Sequence, residues 1–215
     1  MSINDNNVTL ITTNKDAINI HVIDDDEQVL ASCEFLLSSI GINAVMWVSA
    51  LDYLQSTDIY QPMVIISDIM MPQMDGKQLQ YHLIQSSSPA AFIALTGRGE
   101  IADAVTMMQL GAVDYIEKPI QLNRLQSAID KAYRITEQKF FIYQCQQLFA
   151  TLTDKEKQIA DCLMQGKLNK VIADELNVSV RTVEVHRSHV MEKMQSPHLS
   201  DLLTKLILVN KATIG

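Results

Sequence analysis

From Ile18 onward, short apolar runs alternate with segments whose apolar residues recur at every third or fourth position. The runs are INIHVI (18–23), AVMWV (44–48), MVIIS (63–67), AFIALT (91–96) and AVDYI (112–116). Each is followed by a helical pattern: EQVLASCEFLLSSIG, ALDYLQS, KQLQYHLIQS, IADAVTMMQLG and a stretch from about Leu122. A continuous apolar run closed by turn residues suits a strand buried on both faces. Five such strands, each with its helix, predict an α/β domain built on a doubly wound, five-stranded parallel sheet. Gly41 and Gly111 stand where helix C-terminal caps belong.

The fifth helical pattern has no clear stop. QLNRLQSAIDKAYRITEQKFFIYQCQQLF contains neither Gly nor Pro and keeps Leu122, Leu125, Ile129 and Ala132 at helical spacing, so it can continue as a linker helix over 139–150. Thr153-Asp154-Lys155-Glu156 then has the S/T-x-x-E form of a capping box and opens a new helix. Everything beyond reads as helix: DKEKQIADCLMQ up to Gly166, NKVIADEL, VRTVEVHRSHVMEKM capped by Ser179, and a fourth after Pro197. The expected organisation is a flexible tail (1–17), an α/β domain (18–138), the linker, and an all-α tetrahelical domain (151–215).

At 215 residues there is room for two modules, each with its own core. The formal net charge of −8, taken alone, argues against a nucleic-acid partner. The acid is unevenly placed, however: residues 1–149 carry eight Lys/Arg against seventeen Asp/Glu, a net of −9, and residues 150–215 carry nine against eight, a net of +1. Cys33, Cys145 and Cys162 share no metal-ligand spacing and sit among apolar neighbours, the pattern of buried free thiols in a reducing compartment. The N-terminus has no apolar h-region and no window approaches the ~18 uninterrupted apolar residues of a membrane span. A cytoplasmic protein without a membrane partner is expected.

Open α/β sheets bind ligands outside the carboxyl ends of their strands. Asp24-Asp25-Asp26 follows the first strand, Asp68 ends the third, Thr96-Gly97 the fourth, and Lys118-Pro119 follows the fifth. Acids, a hydroxyl and a lysine on one edge suit a hard divalent cation together with a phosphoryl group. Mg²⁺ takes one or two carboxylates plus waters, while Thr and Lys can hold phosphoryl oxygens. A carboxylate can also act as a nucleophile toward phosphorus once a metal offsets the accumulated charge, and Asp68 is the best placed to do so. Singly, each residue has a plainer use: Asp25 or Asp26 as a helix cap, Thr96 as a strand end, Lys118 as a solvated surface lysine.

With VIDDDEQ, SDIMMPQMDG, ALTGRGE and AVDYIEKP in order, residues 18–138 resemble the receiver domain of two-component response regulators. The resemblance implies a flavodoxin-like sheet of order 2-1-3-4-5, with Asp68 as acceptor of a phosphoryl group from a sensor histidine kinase. Mg²⁺ would be held by Asp68, directly by Asp25, through water by Asp24, and by the backbone carbonyl of Met70. Thr96 and Lys118 are implied to bind phosphoryl oxygens, Tyr115 to rotate with their state, and the peptide before Pro119 to be cis. Such a chain is no enzyme beyond catalysing its own phosphotransfer and dephosphorylation.

In the third C-terminal helix Val183, Val190 and Met194, with His186, form an inward face and leave Arg181, Thr182, Glu184, Val185, Ser188 and His189 outward. These are groups that hold phosphates or read base edges. LTDKEKQIADCLMQGKLNKVIADELNVSVRTVEVHRSHVMEKM resembles the LuxR-type helix-turn-helix of the NarL/FixJ subfamily of response regulators. The resemblance implies double-stranded DNA with promoter half-sites as a partner and Val180–Met194 as the recognition helix. Glu184, Val185 and Ser188 would face bases, with Lys170, Arg181, Thr182 and Lys193 near phosphates. A homodimer on phosphorylation and contact with RNA polymerase are implied as well. Gln158 stands where that family usually has Glu, and Val171 where it often has an acid, both off the recognition helix.

Two other classes share parts of this pattern. A Mg²⁺-dependent phosphatase of the haloacid-dehalogenase type also uses an aspartyl nucleophile after a strand, but its DxD motif needs an acid where Met70 stands. A phosphorylation-independent regulator with a protein-binding second domain would need neither the acid set nor the outward face of the third helix.

Overall fold

The run at 63–68 is buried at every position. Successive side chains of a strand point to opposite faces. Val64 and Ile66 therefore enter one core with Leu30, Leu37, Leu125 and Ile129, while Met63 and Ile65 enter another with Tyr53, Leu79, Leu83 and Met107. Because both faces are covered, the strand is apolar without alternation. Each such side chain contributes about 1.5–3 kcal/mol relative to leaving it in water.

The structure, a computed structural model, describes residues 18–97 and 101–214; the tail expected at 1–17 and residues 98–100 of ALTGRGE lie outside the described residues. Strands β1 (Asn19–Ile23), β2 (Ala44–Trp47), β3 (Met63–Asp68), β4 (Ala91–Thr96) and β5 (Asp114–Glu117) pair in the order β2-β1-β3-β4-β5. All four pairings are parallel. Helices α1 (Glu27–Ser39) and α5 (Leu122–Ala150) pack on the first face, and α2 (Ala50–Ser56), α3 (Gly76–Gln85) and α4 (Ile101–Gln109) on the second. This is the doubly wound parallel sheet that the alternation of runs predicts, in the flavodoxin-like order that the receiver resemblance implies. Gly41 and Gly111 adopt φ of 75° and 88° after α1 and α4, a left-handed conformation that costs glycine nothing.

Chain contacts divide the protein into two compact units, Met1–Phe140 and Phe141–Gly215. The helix expected to trail into a linker remains helical as far as Ala150. In the second unit α6 (Asp154–Met164), α7 (Asn169–Leu176), α8 (Val180–Lys193) and α9 (Leu199–Ile214) pack around Ile159, Ile172, Val183, Val190, Leu202 and Leu206. The capping box forms in both directions: Glu156 N donates to Thr153 Oγ1 at 3.4 Å and Thr153 N donates to Glu156 Oε2 at 2.8 Å. Ser179 caps α8 by accepting from Thr182 N at 3.0 Å. Among the described residues no helix is long and apolar enough to cross a membrane.

Candidate functional site

The strand order reverses between β1 and β3, and the carboxyl edge at that point is where a doubly wound sheet receives ligands. Asp24 follows β1, Asp68 closes β3, Thr96 closes β4 and Lys118 follows β5. Asp24 is 0% exposed and Asp68 8%, with Thr96 buried as well. The Lys118 ammonium lies 2.7 Å from Asp24 Oδ2 and 3.0 Å from Asp68 Oδ2, so one cation bridges the ends of two central strands. Asp25 is exposed, and oxygens from Asp24, Asp25 and Asp68 all fall within 4.8 Å of one another.

Local hydrogen bonds sort the three consecutive acids. Asp26 Oδ1 accepts from Gln28 N at 2.8 Å, which makes Asp26 the N-cap of α1. Its own N–H donates to Asp24 Oδ1 at 3.0 Å. Asp24 and Asp25 are left for the sheet edge. The backbone just after Asp68 is fixed at both groups of Ile69: Ile69 N donates to Leu95 O at 3.0 Å and Gly76 N to Ile69 O at 2.9 Å. A Cβ at Gly76 would meet Ile69 Cα at 3.0 Å and the Asp68 carbonyl closer still. The turn can close against the strand end only because that position has no side chain.

Burial pushes Asp24 above the usual carboxylate range, with hydrogen bonds from Lys118 and the Asp26 N–H working the other way. Burial also opposes the Lys118 ammonium, but its hydrogen bonds to Asp24 and Asp68 outweigh that and hold its pKa above the ordinary lysine value. Three neighbouring carboxylates against one ammonium leave negative charge at the edge. An all-oxygen donor set of that charge fits a hard divalent cation such as Mg²⁺.

The Lys118–Pro119 peptide is cis. Tyr115 on β5 is exposed and shares an apolar recess with Ala104, Val105 and Met108 of α4. Met107, next in the helix, faces the other way and is fully buried in the core.

On α8, Val183, Val190 and Met194 are buried and His186 is half-buried, while Arg181, Glu184, Val185, Ser188 and His189 are exposed. Thr182 is half-buried, its Oγ1 2.8 Å from the capping Ser179 Oγ. Lys170 is exposed on α7. Two of the basic residues singled out in the sequence carry internal partners: Arg181 Nη1 lies 3.3 Å from Glu184 Oε2, and Lys193 Nζ 2.7 Å from Glu156 Oε2. Arg187, which sequence reasoning did not single out, donates to Asn169 Oδ1 and ties α8 to the first residue of α7. No local pattern signals that pair, because the two residues belong to different helices.

A carboxylate-and-lysine edge on a 2-1-3-4-5 sheet, carried in one chain with a helix-turn-helix unit, is the build of a two-component response regulator with a DNA-binding output domain. Residues 20–130 match the family described as "Response regulator receiver domain", and residues 150–206 match "Bacterial regulatory proteins, luxR family". The chain is 38% identical over 186 residues to the tetrathionate response regulatory protein TtrR of Salmonella typhimurium strain LT2, covering 86% of this chain and 90% of that one. It is 36% identical over 188 residues to the transcriptional regulatory protein FixJ of Bradyrhizobium diazoefficiens, covering 86% and 92%. Among solved structures, the response regulator StyR superposes with a TM-score of 0.65 at 30% identity, covering 91% of this chain and 99% of that one. The chain belongs to the response regulators of the NarL/FixJ subfamily, a family of transcription regulators that pairs a receiver with a LuxR-type DNA-binding domain.

Proposed function

We propose that this protein is the phosphorylation-controlled output of a His-Asp phosphorelay, with Asp68 as phosphoacceptor and α8 as the DNA-reading helix. The observation that carries the first half is the grouping of Asp24, Asp25 and Asp68 within 4.8 Å, with Lys118 3.0 Å from Asp68. A carboxylate oxygen of Asp68 attacks the phosphorus of a phosphohistidine on the sensor kinase. The P–N bond breaks, the imidazole leaves with its electron pair, and an aspartyl phosphate remains. Asp24, Asp25, Asp68 and the Met70 carbonyl would hold Mg²⁺, whose charge lets the anionic phosphoryl group approach the acids. Lys118 moves its ion pair from the Asp68 carboxylate to a phosphoryl oxygen, and the buried Thr96 hydroxyl at the end of β4 binds another.

Val105, Met108 and Tyr115 leave apolar surface on the α4 and β5 face. Rotation of Tyr115 after phosphorylation would reshape that face for a two-fold partner copy. On α8, Glu184, Val185 and Ser188 would meet base edges, with Lys170, Arg181, Thr182 and Lys193 near the phosphate backbone. Bound proteins related by two-fold symmetry would select paired promoter half-sites.

Intact-mass measurement after incubation with acetyl phosphate tests the acceptor. The expected outcome is one phosphoryl group added per chain, only with Mg²⁺ present and not in Asp68→Asn. Equal labelling of wild type and Asp68→Asn would falsify the assignment.

A further inference from the structure

A second group of metal-ligand side chains comes together among the described residues, within the second unit: Glu156 of α6 with His186 and His189 of α8. His186 and His189 are three residues apart on one helix, so their side chains lie on one side of it, about a turn apart. One ligand atom from each of the three residues falls within 4.8 Å of the others. His189 Nδ1 is 3.9 Å from Glu156 Oε1, too far for a hydrogen bond. The other carboxylate oxygen, Oε2, is taken by Thr153 N at 2.8 Å and Lys193 Nζ at 2.7 Å. The oxygen that turns toward the imidazoles is therefore Oε1. His186 Nδ1 is buried and has no hydrogen-bond partner, and a buried polar atom left so calls for a partner such as an ion.

We propose that Glu156, His186 and His189 form a binding site for a divalent cation of the Zn²⁺ class between α6 and α8. Two imidazoles and one carboxylate, with a fourth position left to water, are a donor set for zinc held in an open site. Imidazole favours Zn²⁺, Cu²⁺ or Ni²⁺, whereas Mg²⁺ prefers oxygen donors. The site thus selects a different metal from the all-oxygen edge of the receiver. Metal–ligand bonds of about 2.0–2.2 Å place neighbouring donors of a tetrahedron roughly 3.3–3.6 Å apart. Small rotations of the exposed His189 and of His186 would close the present spacing. The Lys193 hydrogen bond holds the Glu156 carboxyl down to about 2, so the carboxylate is ionised and ready to bind. The Lys193 ammonium sits on Oε2 without occupying Oε1, and its charge weakens rather than blocks the site. The proposal does not rest on the DNA-binding reading of α8.

The test is a Co²⁺ titration of the full chain in excess Mg²⁺, which keeps the receiver carboxylates supplied with their own cation. It is followed by visible d–d absorption and then by displacement with Zn²⁺. One equivalent of Co²⁺ with tetrahedral-type bands, lost on adding Zn²⁺, is expected. His189→Gln, at an exposed position, should weaken binding at least about tenfold while leaving the helical signal unchanged. Lys193→Ala should tighten binding by removing the competing charge, a change that a purely structural role of the cluster would not produce. Asp25→Asn combined with Asp68→Asn should leave the titration as it is. Unaltered binding in His189→Gln, or loss of the bands in the Asp25→Asn/Asp68→Asn variant, would overturn the assignment.

Discussion

Asp24 is the most enclosed of the three receiver carboxylates, and burial raises its pKa. A group whose folded pKa exceeds its unfolded value adds stability below the unfolded value and loses it as pH rises through the folded one. Ionising Asp24 as pH rises therefore weighs against the metal-free fold. Asp24→Asn keeps the shape and removes the charge, so it should raise the thermal midpoint of the metal-free protein. Mg²⁺ should add less stability to that variant than to wild type, which thermal melts with and without Mg²⁺ would read. Glu156 has the opposite sign. Its hydrogen bond from Lys193, helped by those from Thr153, takes its pKa from 4.5 to about 2. The stability it supplies is present above about 4.5 and is lost as pH falls toward 2. Glu156→Gln should cost roughly 1.5–3 kcal/mol at neutral pH, the worth of a charge-assisted hydrogen bond. That difference should shrink toward nothing near pH 2, which melts of both proteins across the acid range would follow.

Among the elements, α8 carries the sharpest contrast. Lys170 on α7 is exposed, and its removal should weaken binding to every sequence alike and flatten the log–log salt slope by about 0.9, the signature of one lost phosphate contact. Val185, exposed on α8, should instead change preference at a single base position by about 1–3 kcal/mol when replaced. Salt-dependent affinities on specific and scrambled duplexes separate the two, and equal behaviour would mean that α8 is not the reading helix. The helices themselves were legible because their starts are chemical: Thr153 with Glu156, and Ser179 before VRTV, satisfy N–H groups that the first turn leaves unpaired. Their mutual fastening was not. Lys193 reaches Glu156 37 residues away, and Arg187 reaches Asn169 across 18. Lys205, nearly buried, donates to Met194 O at 3.1 Å and Gln195 O at 2.8 Å, tying α9 to the end of α8. Periodicity counts neighbours along one helix and is silent about pairs between helices, so a lysine committed to the interior reads like one facing solvent. By contrast, the receiver edge was legible nearly to the residue. Parallel strands end together, and each of these ends is marked by a polar residue after an apolar run. Which of Asp25 and Asp26 caps α1 waited on the hydrogen bond to Gln28 N.

For the whole molecule, the proposed switch links a charge change at the sheet edge to association of two copies. Moving a two-state population from 1:99 to 99:1 takes about 5.5 kcal/mol, within reach of the ion pair that Lys118, and the hydrogen bond that the Thr96 hydroxyl, would form with a phosphoryl group. Sedimentation with and without beryllofluoride, a phosphoryl mimic, should show a monomer becoming a dimer. Substituting Met108 or Tyr115 with a charged residue should block the change while Asp68 remains phosphorylatable. Unchanged mass at concentrations where DNA affinity rises would instead assign the control to unmasking of the second unit.

Gly76 shows how variation in this chain would be filtered. Its missing side chain is what allows the turn after β3 to rest against the backbone of Asp68 and Ile69. Every missense change of a glycine codon adds a Cβ, so no amino-acid replacement there leaves the contact as it is. A scan of variants scored only on transcriptional output would rank Gly76 beside Asp68, though only Asp68 is the proposed phosphoacceptor and Gly76 has no reacting group. Intolerance to substitution at this site measures the closeness of two backbones, and only a readout of phosphorylation separate from folding would tell the two positions apart.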